Sequence, residues 1–401
     1  MESLCIRCKG KGLCGKPCKI LGRFMDNAPK PTTHFSGPSP PEVFVGRVGY
    51  PNVNMGILAP TNYDTKHEEF NRAEQWSKSN LSIANVLRLR GQLIYGRATS
   101  NIKTPNKIKS VTQELALTHK ATSTEFFLKK KPIIQFTSSS VFKPMTNPAP
   151  IHKVLLQDNT KIHKKVDYLT NDNDAKSVTA INELYNSNIN VDHLQKILSV
   201  GLLGKKISRR MVPTRWSITA IDDTISKQLL ENIRYYKETN EIMLFSGNYV
   251  GNYIEVLLLP GYFSFDAIEA WDGESVFGQE HHTVFAEDYE GFNGRKKYAS
   301  NITGGYYAMR LPVAEYLDKI KRQATIFVFR RITSEYYAPL GVGVVRETTR
   351  RAMQNKPQIF DTIDQALLSM SGRIKLPAKT IKEKSWILSN YGKQKVLKEF
   401  F

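Results

Sequence analysis

The sequence predicts a mixed α+β protein with two larger domains, and three observations carry that prediction. Apolar residues recur at helical spacing at Val178, Ile181 and Leu184, then at Leu194, Ile197 and Leu198, and again at Ile221, Ile225, Leu229 and Ile233. Elsewhere they run continuously over strand length, from Ile254 to Pro260 and from Ala324 to Ile332. With 401 residues, of which 41% are hydrophobic, the chain is long enough to build two cores. The expected division is a small cysteine-rich module at 1–22, a mixed domain at 27–203, a second α+β domain at 204–376 and a flexible basic tail at 377–401.

All four cysteines fall in the first module, as Cys5-x2-Cys8-x5-Cys14-x3-Cys18, with Gly10, Gly12 and Gly15 between them. Four thiolates at such spacing bind Zn2+ tetrahedrally, and glycines supply the sharp turns that close a short cage. The competing arrangement is two disulfides, which a reducing compartment and a large body with its own core make unnecessary. Four protein ligands leave no open coordination position, so the expected zinc is structural.

From Asn27 to Pro60 the chain is rich in Pro and Gly, which predicts an ordered surface segment containing strands. Within it, Phe44-Val-Gly-Arg47 sets an arginine beside backbone amides, suited either to a phosphate or to a Pro-rich wrap around the domain. Ile83, Val86, Leu87, Leu89, Leu93 and Ile94 predict an amphipathic helix over 80–95, with Arg88, Arg90 and Arg97 on its polar side or end. Residues 99–170 read as short strands, and the composition shift at 201–206 marks the expected boundary.

Chemistry is most plausible in the second half. Arg209, Arg210, Arg215, Trp216, Asp222 and Asp223 fall close together in sequence, a set suited to phosphate, base and metal or acid-base work. Helix N-termini also collect Asp for electrostatic reasons alone, and both readings stand at this point. Gly304-Gly305 opens a helix with Arg310 one turn in, an arrangement that invites an anion, though the Gly-Lys-Ser/Thr ending of a Walker loop is missing. Glu280, His281, His282, Glu287, Asp288 and Glu290 form a weaker metal candidate, because neighbours on a strand point to opposite faces. Arg346 and Glu347 follow a long buried strand. The candidate catalytic residues are therefore Asp222, Asp223, Arg215 and Glu347, and the candidate phosphate or nucleic-acid contacts are Arg47, Arg209, Arg210, Arg215, Trp216, Arg310 and Arg346.

Lys and Arg number 57 against 37 Asp and Glu, a surplus of 20 positive charges, which attracts polyanions. No stretch reaches the roughly 18 apolar residues of a membrane span, and the cysteines and lysines interrupt any signal-peptide core. The expectation is a cytoplasmic protein, associated with the nucleoid.

The final residues carry Gln394, Leu397, Phe400 and Phe401. In one helical turn these make an apolar plug with an amide in front, too short to order without a partner or a core to receive it. The spacing resembles the motif by which replication and repair proteins dock on the sliding clamp PCNA; the plainer alternative is a terminal helix packed on its own domain. Together with the four-cysteine head, the Ser36-to-Gly56 segment, Gln113-Glu-Leu-Ala-Leu117, Val212-Pro-Thr-Arg-Trp-Ser-Ile-Thr-Ala-Ile-Asp-Asp-Thr224, Gly304-Gly-Tyr-Tyr-Ala308, Pro339-Leu-Gly-Val342 and Arg346-Glu347, this tail resembles the archaeal Nre DNA repair proteins of the NreA type. The resemblance spans nearly the whole chain and departs from the pattern at 144–150 and at Gly343. It implies a role in DNA damage repair linked to PCNA, with DNA and other repair factors as partners and a zinc site at the amino end. Three classes of activity follow from the residues: a non-catalytic clamp adaptor, a nuclease using Mg2+ or Mn2+ held by acids such as Asp222, Asp223, Glu280 and Asp288, and a transferase binding NAD or another nucleotide between Arg215, Trp216, Tyr306, Arg310 and Glu347.

Overall fold

A computed structural model describes residues 8, 13, 15, 18–39, 42–61, 71–273, 275 and 282–393. It is mixed α+β, as expected, and contains two compact units, Met1–Ile225 with Ala338–Gly343, and Ser226–Tyr337 with Val344–Phe401. Among the described residues no helix is long and apolar enough to cross a membrane.

The first unit is built on a six-stranded sheet. Its strands are β1 (His34–Ser39), β2 (Val43–Val45), β3 (Asn52–Pro60), β4 (Leu93–Asn101), β5 (Thr122–Leu128) and β6 (Pro148–Leu156), in the order β1-β5-β6-β4-β3-β2. Only β4 and β6 pair in parallel; the other neighbours are antiparallel. Ile57, Ala59, Ile94, Phe126 and Ile151 bury one face against Leu115, Ala116 and Val200. Helix α1 (Lys19–Met25) is capped by Cys18 and sinks Ile20 and Phe24 into this unit, so the expected module boundary at residue 22 falls inside a helix. The helix expected over 80–95 is shorter, α3 (Ile83–Gly91), and a separate short helix, α2 (Ala73–Lys78), precedes it. Leu93 and Ile94 belong to β4, where β-branched and large apolar residues pack on a pleated face. Helix α4 (Lys107–Leu117) lies in the stretch read as short strands mixed with Lys and Ser runs.

Three further helices follow, α5 (Lys164–Asn171), α6 (Ser177–Asn186) and α7 (Val191–Ser199), the last two where the apolar spacing placed them. His193 of α7 is a core histidine: burial lowers it to about 3, and its neutral Nε2–H donates to the Ala116 carbonyl at 3.0 Å. The unit continues past the expected boundary at 203. Met211 N–H donates to Ile102 O, Val212 N–H to Ser199 O, and Val45 N–H to Thr214 Oγ1, fastening 211–214 to the first sheet and α7. The segment 338–343 also returns to this unit. Val342 N–H donates to Val141 O, and Gly341, at φ +84°, lies so close that a Cβ would meet the Phe142 backbone at 2.8 Å.

The second unit repeats the architecture. Helix α8 (Thr214–Ile233) passes from one unit into the other and carries the predicted stripe, with Ile221, Ile225 and Ile233 buried. Strands β7 (Ile242–Tyr249), β8 (Asn252–Leu259), β9 (Ser264–Trp271), β10 (Val284–Glu290), β11 (Thr325–Ile332) and β12 (Gln358–Phe360) order as β10-β9-β11-β8-β7-β12, with β9 and β11 the one parallel pair. Period-two alternation divides β9 between two environments. Ile268 and Ala270 join the core with α11 (Ile363–Ile374), whereas Phe265 meets the Tyr306 ring of α9 (Gly304–Ile320) edge-on at 5.1 Å. Between them in sequence, α10 (Val342–Gln354) follows β11, and α11 starts on a complete capping box formed by Thr362 and Gln365.

The chain from 377 to 393 is not the loose tether its lysines suggested. It forms α12 (Ala378–Lys384) and α13 (Trp386–Asn390), whose Ile381, Ile387 and Leu388 are buried. Solvated lysines alternate with these apolar anchors, and charge count alone conceals the anchors. Asp266 of β9 holds the junction, accepting from Ser385 Oγ at 2.6 Å and Ile387 N–H at 3.1 Å.

Burial, reinforced by the neighbouring Glu287 carboxylate, pushes the Asp266 carboxyl up from 3.8 to about 7, against the two hydrogen bonds that favour the anion. The folded protein thus keeps a proton that the unfolded chain has released. The resulting stability is full below about pH 4 and is lost as pH rises to about 7. The Asp266→Asn variant should show a flatter fall of Tm across that window than the parent, as read by circular dichroism.

Candidate nucleic-acid interface

In the first unit, β2 and β3 are joined by a tight loop. Gly46 N–H donates to Asn54 O at 2.7 Å, Asn52 N–H donates to Gly49 O at 2.8 Å, and the Tyr50–Pro51 peptide is cis. These bonds push Arg47, Val48 and Tyr50 outward, with Val48 82% exposed. The first turn of α8 is fixed beside this hairpin. Pro213 leads into the helix, and Thr214 Oγ1 both accepts from Val45 N–H at 2.9 Å and lies 3.0 Å from Ser199 Oγ. Trp216, 48% exposed, is thereby carried to 5.8 Å from the ring of Tyr50, with the half-buried Arg215 preceding it. Two exposed aromatic rings are thus flanked in sequence by Arg47 and Arg215. Such rings offer π-faces to unstacked bases, while guanidinium groups match phosphate oxygens.

Several sequence candidates do different work. Arg209 is a clamp: its guanidinium donates to the carbonyls of Gly204 at 2.7 Å, Thr170 at 2.6 Å and Asp172. Arg210 is exposed on the adjoining turn, next to the exposed Lys205 and Lys206. Arg310 is buried rather than presented to an anion. It pairs with Glu290 at 2.8 and 3.1 Å and lies over the rings of Tyr306 and Tyr307. Arg346 is buried too, its Nε 3.4 Å from Glu347 Oε1, and Glu347 also accepts from Arg350 at 2.7 Å. These two therefore form part of an ion network within the second unit, with Glu315 closing it against Arg350 at 2.6 Å. Apolar flanks hide such pairs in sequence, where a buried and a free arginine look alike.

The acids are equally reassigned. Asp222 and Asp223 lie two turns into α8, beyond the reach of its N-terminal dipole; Asp222 is fully buried and Asp223 half-buried. Asp288 organises the approach to α9, accepting from Asn301 N–H, Ile302 N–H and Arg295. The glycine pair that opens α9 receives a carboxylate of the protein itself, for a Cβ on Gly305 would lie 2.5 Å from Glu269 Oε1. Glu269 in turn pairs with Arg330 at 2.5 Å. Arg90, assigned to a solvated face, is buried and paired with Glu42 at 3.3 Å. Glu280 and His281 lie outside the described residues. Among the described residues no three His, Cys, Asp or Glu side chains gather as a metal site.

A second surface was not legible as a unit in the sequence. In the second unit Tyr262 packs edge-on to Phe292 at 6.1 Å, and the Arg234 guanidinium sits 5.7 Å from Phe292. Lys296, Lys297 and Tyr298 are exposed on the loop that follows. Arg295 anchors that loop by donating to Tyr289 O at 2.7 Å and Asp288 Oδ1 at 2.9 Å. The only sequence signal was the Gly294-Arg-Lys-Lys-Tyr298 run, and Tyr262, far from it in the chain, gave none.

Of the four cysteines, Cys5 and Cys14 lie outside the described residues. The Sγ atoms of Cys8 and Cys18 accept backbone N–H bonds from Leu13 at 3.3 Å and Leu21 at 3.4 Å. Backbone donors aimed at sulfur suit thiolate ligands, so these two residues fit a zinc donor set. Gln394, Leu397, Phe400 and Phe401 also lie outside the described residues.

Residues 13–278 match the family described as archaeal Nre, N-terminal, and residues 290–400 match archaeal Nre, C-terminal. The chain belongs to the archaeal Nre family. It is 36% identical over 377 residues to the DNA repair protein NreA of Archaeoglobus fulgidus, covering 92% of this chain and 93% of that protein. It is 34% identical over 398 residues to the DNA repair protein NreB of the same organism, covering 99% of each, and 30% identical over 353 residues to NreA of Haloferax volcanii, covering 86% and 84%. No solved structure matches.

Proposed function

We propose that this Nre-family chain is a DNA repair factor that holds DNA on its basic, aromatic surface and is brought to it by the PCNA sliding clamp. The observation that carries the DNA-binding part is the pairing of exposed Tyr50 and Trp216 beside Arg47 and Arg215, on a protein with 20 surplus positive charges. The names of its relatives, all DNA repair proteins, support the biological setting. The rings would stack on exposed bases and the arginines would meet phosphates, so unpaired or branched DNA suits the patch better than intact duplex. The second surface around Phe292 would add sequence-tolerant contacts of the same chemistry.

A structural Zn2+ on Cys5, Cys8, Cys14 and Cys18 would fix the fold of the amino-terminal segment. Clamp docking would use Gln394 as the amide handle and Leu397, Phe400 and Phe401 as the apolar plug. The reading is one of binding rather than metal-dependent cleavage, because Asp288, one of the acids that cleavage would need, is spent on local structure. Truncation after Lys393 removes no contact described above. It should leave Tm unchanged while abolishing capture by immobilised PCNA; a truncated protein that fails to fold, or still binds the clamp, would contradict the docking assignment.

A further inference from the structure

In the first unit, β2, the stretch 142–145, α7 and the start of α8 line a cleft with an empty volume of about 440 Å³ including its open mouth. Its charged groups are unevenly matched. Glu42 is paired with the buried Arg90 at 3.3 Å, and Lys143 lies 3.7 Å from Asp192 and 4.0 Å from Glu42. Lys143 also donates to the Asn71 carbonyl. Both carboxylates therefore have cations of their own.

Among the described residues two donors on α7 have no partner. Lys196 makes no ion pair or hydrogen bond among the described residues, and burial, with the positive charges of Lys143 and Arg72, outweighs the carboxylates of Glu42 and Asp192 to lower its ammonium to about 7. Gln195 is only 7% exposed, and its amide Nε2 is buried without a partner. Leaving a buried N–H unmet is costly, so the cleft is short of acceptors and of negative charge. Thr214 adds no free donor: it accepts from Val45 N–H, and its proton goes to Ser199 Oγ, whose own proton is given to Val212 O. Phe44, Phe142 and Met145 supply an apolar wall.

We infer that this cleft binds a phosphate monoester dianion, with Lys196 and Gln195 Nε2 as its principal donors and the apolar wall against the ester's organic part. A phosphate's three terminal oxygens and double charge answer the surplus donors and cations together; a lone carboxylate would leave donors unmet. The ester is either a free mononucleotide or the phosphorylated 5′ end of a DNA strand. Neither is required by stacking at Trp216, so this site goes beyond the patch described above.

The test uses the full chain in calorimetric titrations with a nucleoside monophosphate, the matching nucleoside, and short strands with a 5′-phosphate or a 5′-hydroxyl. The monophosphate should bind and the nucleoside should not. Lys196→Gln should weaken monophosphate binding at least about tenfold, and Lys196→Arg should retain it. A 5′-phosphate preference that disappears in Lys196→Gln assigns the strand end; equal binding of both strands assigns the free nucleotide. Circular dichroism melting confirms that each variant is folded, and the arginine variant keeps the test decisive if the glutamine variant is not. Absent binding of the monophosphate, equal binding of the nucleoside, or unchanged affinity in a folded Lys196→Gln protein would overturn the inference.

Discussion

Replacing Trp216 by alanine is expected to weaken binding of unstructured single-stranded DNA by about 5- to 150-fold, the equivalent of one stacked base at roughly 1–3 kcal/mol. Fluorescence anisotropy with a labelled oligonucleotide reads this directly. Trp216 is half exposed and its described ring partner is Tyr50, so Tm should change little. Tyr50→Ala should act in the same direction. The double variant should lose less than the sum, because the two rings touch and share the surface on which a base would lie. Phe292→Ala reports separately on the second surface. If Trp216→Ala binds as the parent does while Phe292→Ala is impaired, DNA is held on the second unit instead.

The Arg310→Ala variant should lose about 3–5 kcal/mol of stability, because it leaves the Glu290 carboxylate charged and buried without its cation. The side chains of Arg310 and Glu290 are 2% and 1% exposed, so solvent screens little of this loss. Chemical denaturation followed by tryptophan fluorescence or circular dichroism would register it as a lower midpoint. A phosphate-binding arginine would behave in the opposite way, losing affinity for DNA while keeping its stability. The two readings of Arg310 are thus separated by which curve moves. Glu290→Gln should cost stability as well, since it removes the buried negative charge that faces the Arg310 guanidinium.

Periodicity made the second unit legible. Continuous apolar runs marked β8 and β11 because both faces of those strands are covered, and the 3.6-residue stripe marked α8 because one side of it is buried along its length. Where tertiary packing decides, the sequence was silent. Leu93 and Ile94 continue a helical spacing yet enter β4, since strand pairing with β3 outweighs local preference. The lysines between 379 and 384 suggested a solvated tail and masked Ile381, whose burial is a property of the sheet beneath it.

The candidate site divides along the same line. Trp216 was readable as an aromatic among arginines, and the structure adds the partner ring of Tyr50 from a hairpin more than 160 residues earlier in the sequence. Arg209, Arg310 and Arg346 were indistinguishable from Arg47 in sequence, because an arginine's role depends on whether a carbonyl or carboxylate of the same chain already occupies its fork. The cleft around Lys196 left no motif at all. Its donors come from α7 and its matched carboxylates from Glu42, just before β2, and from α7, brought together only by the fold.

Binding through arginines and stacked rings requires that affinity depend on salt. The decisive measurement is the equilibrium affinity of the full chain for an unstructured single-stranded oligonucleotide at a series of salt concentrations, for the parent and for Arg47→Ala. Affinity should fall linearly on a log-log plot, and loss of one phosphate contact should make the slope shallower by about 0.7. Affinity that is independent of salt, or no binding even at low salt, would show that the Tyr50–Trp216 surface does not hold DNA.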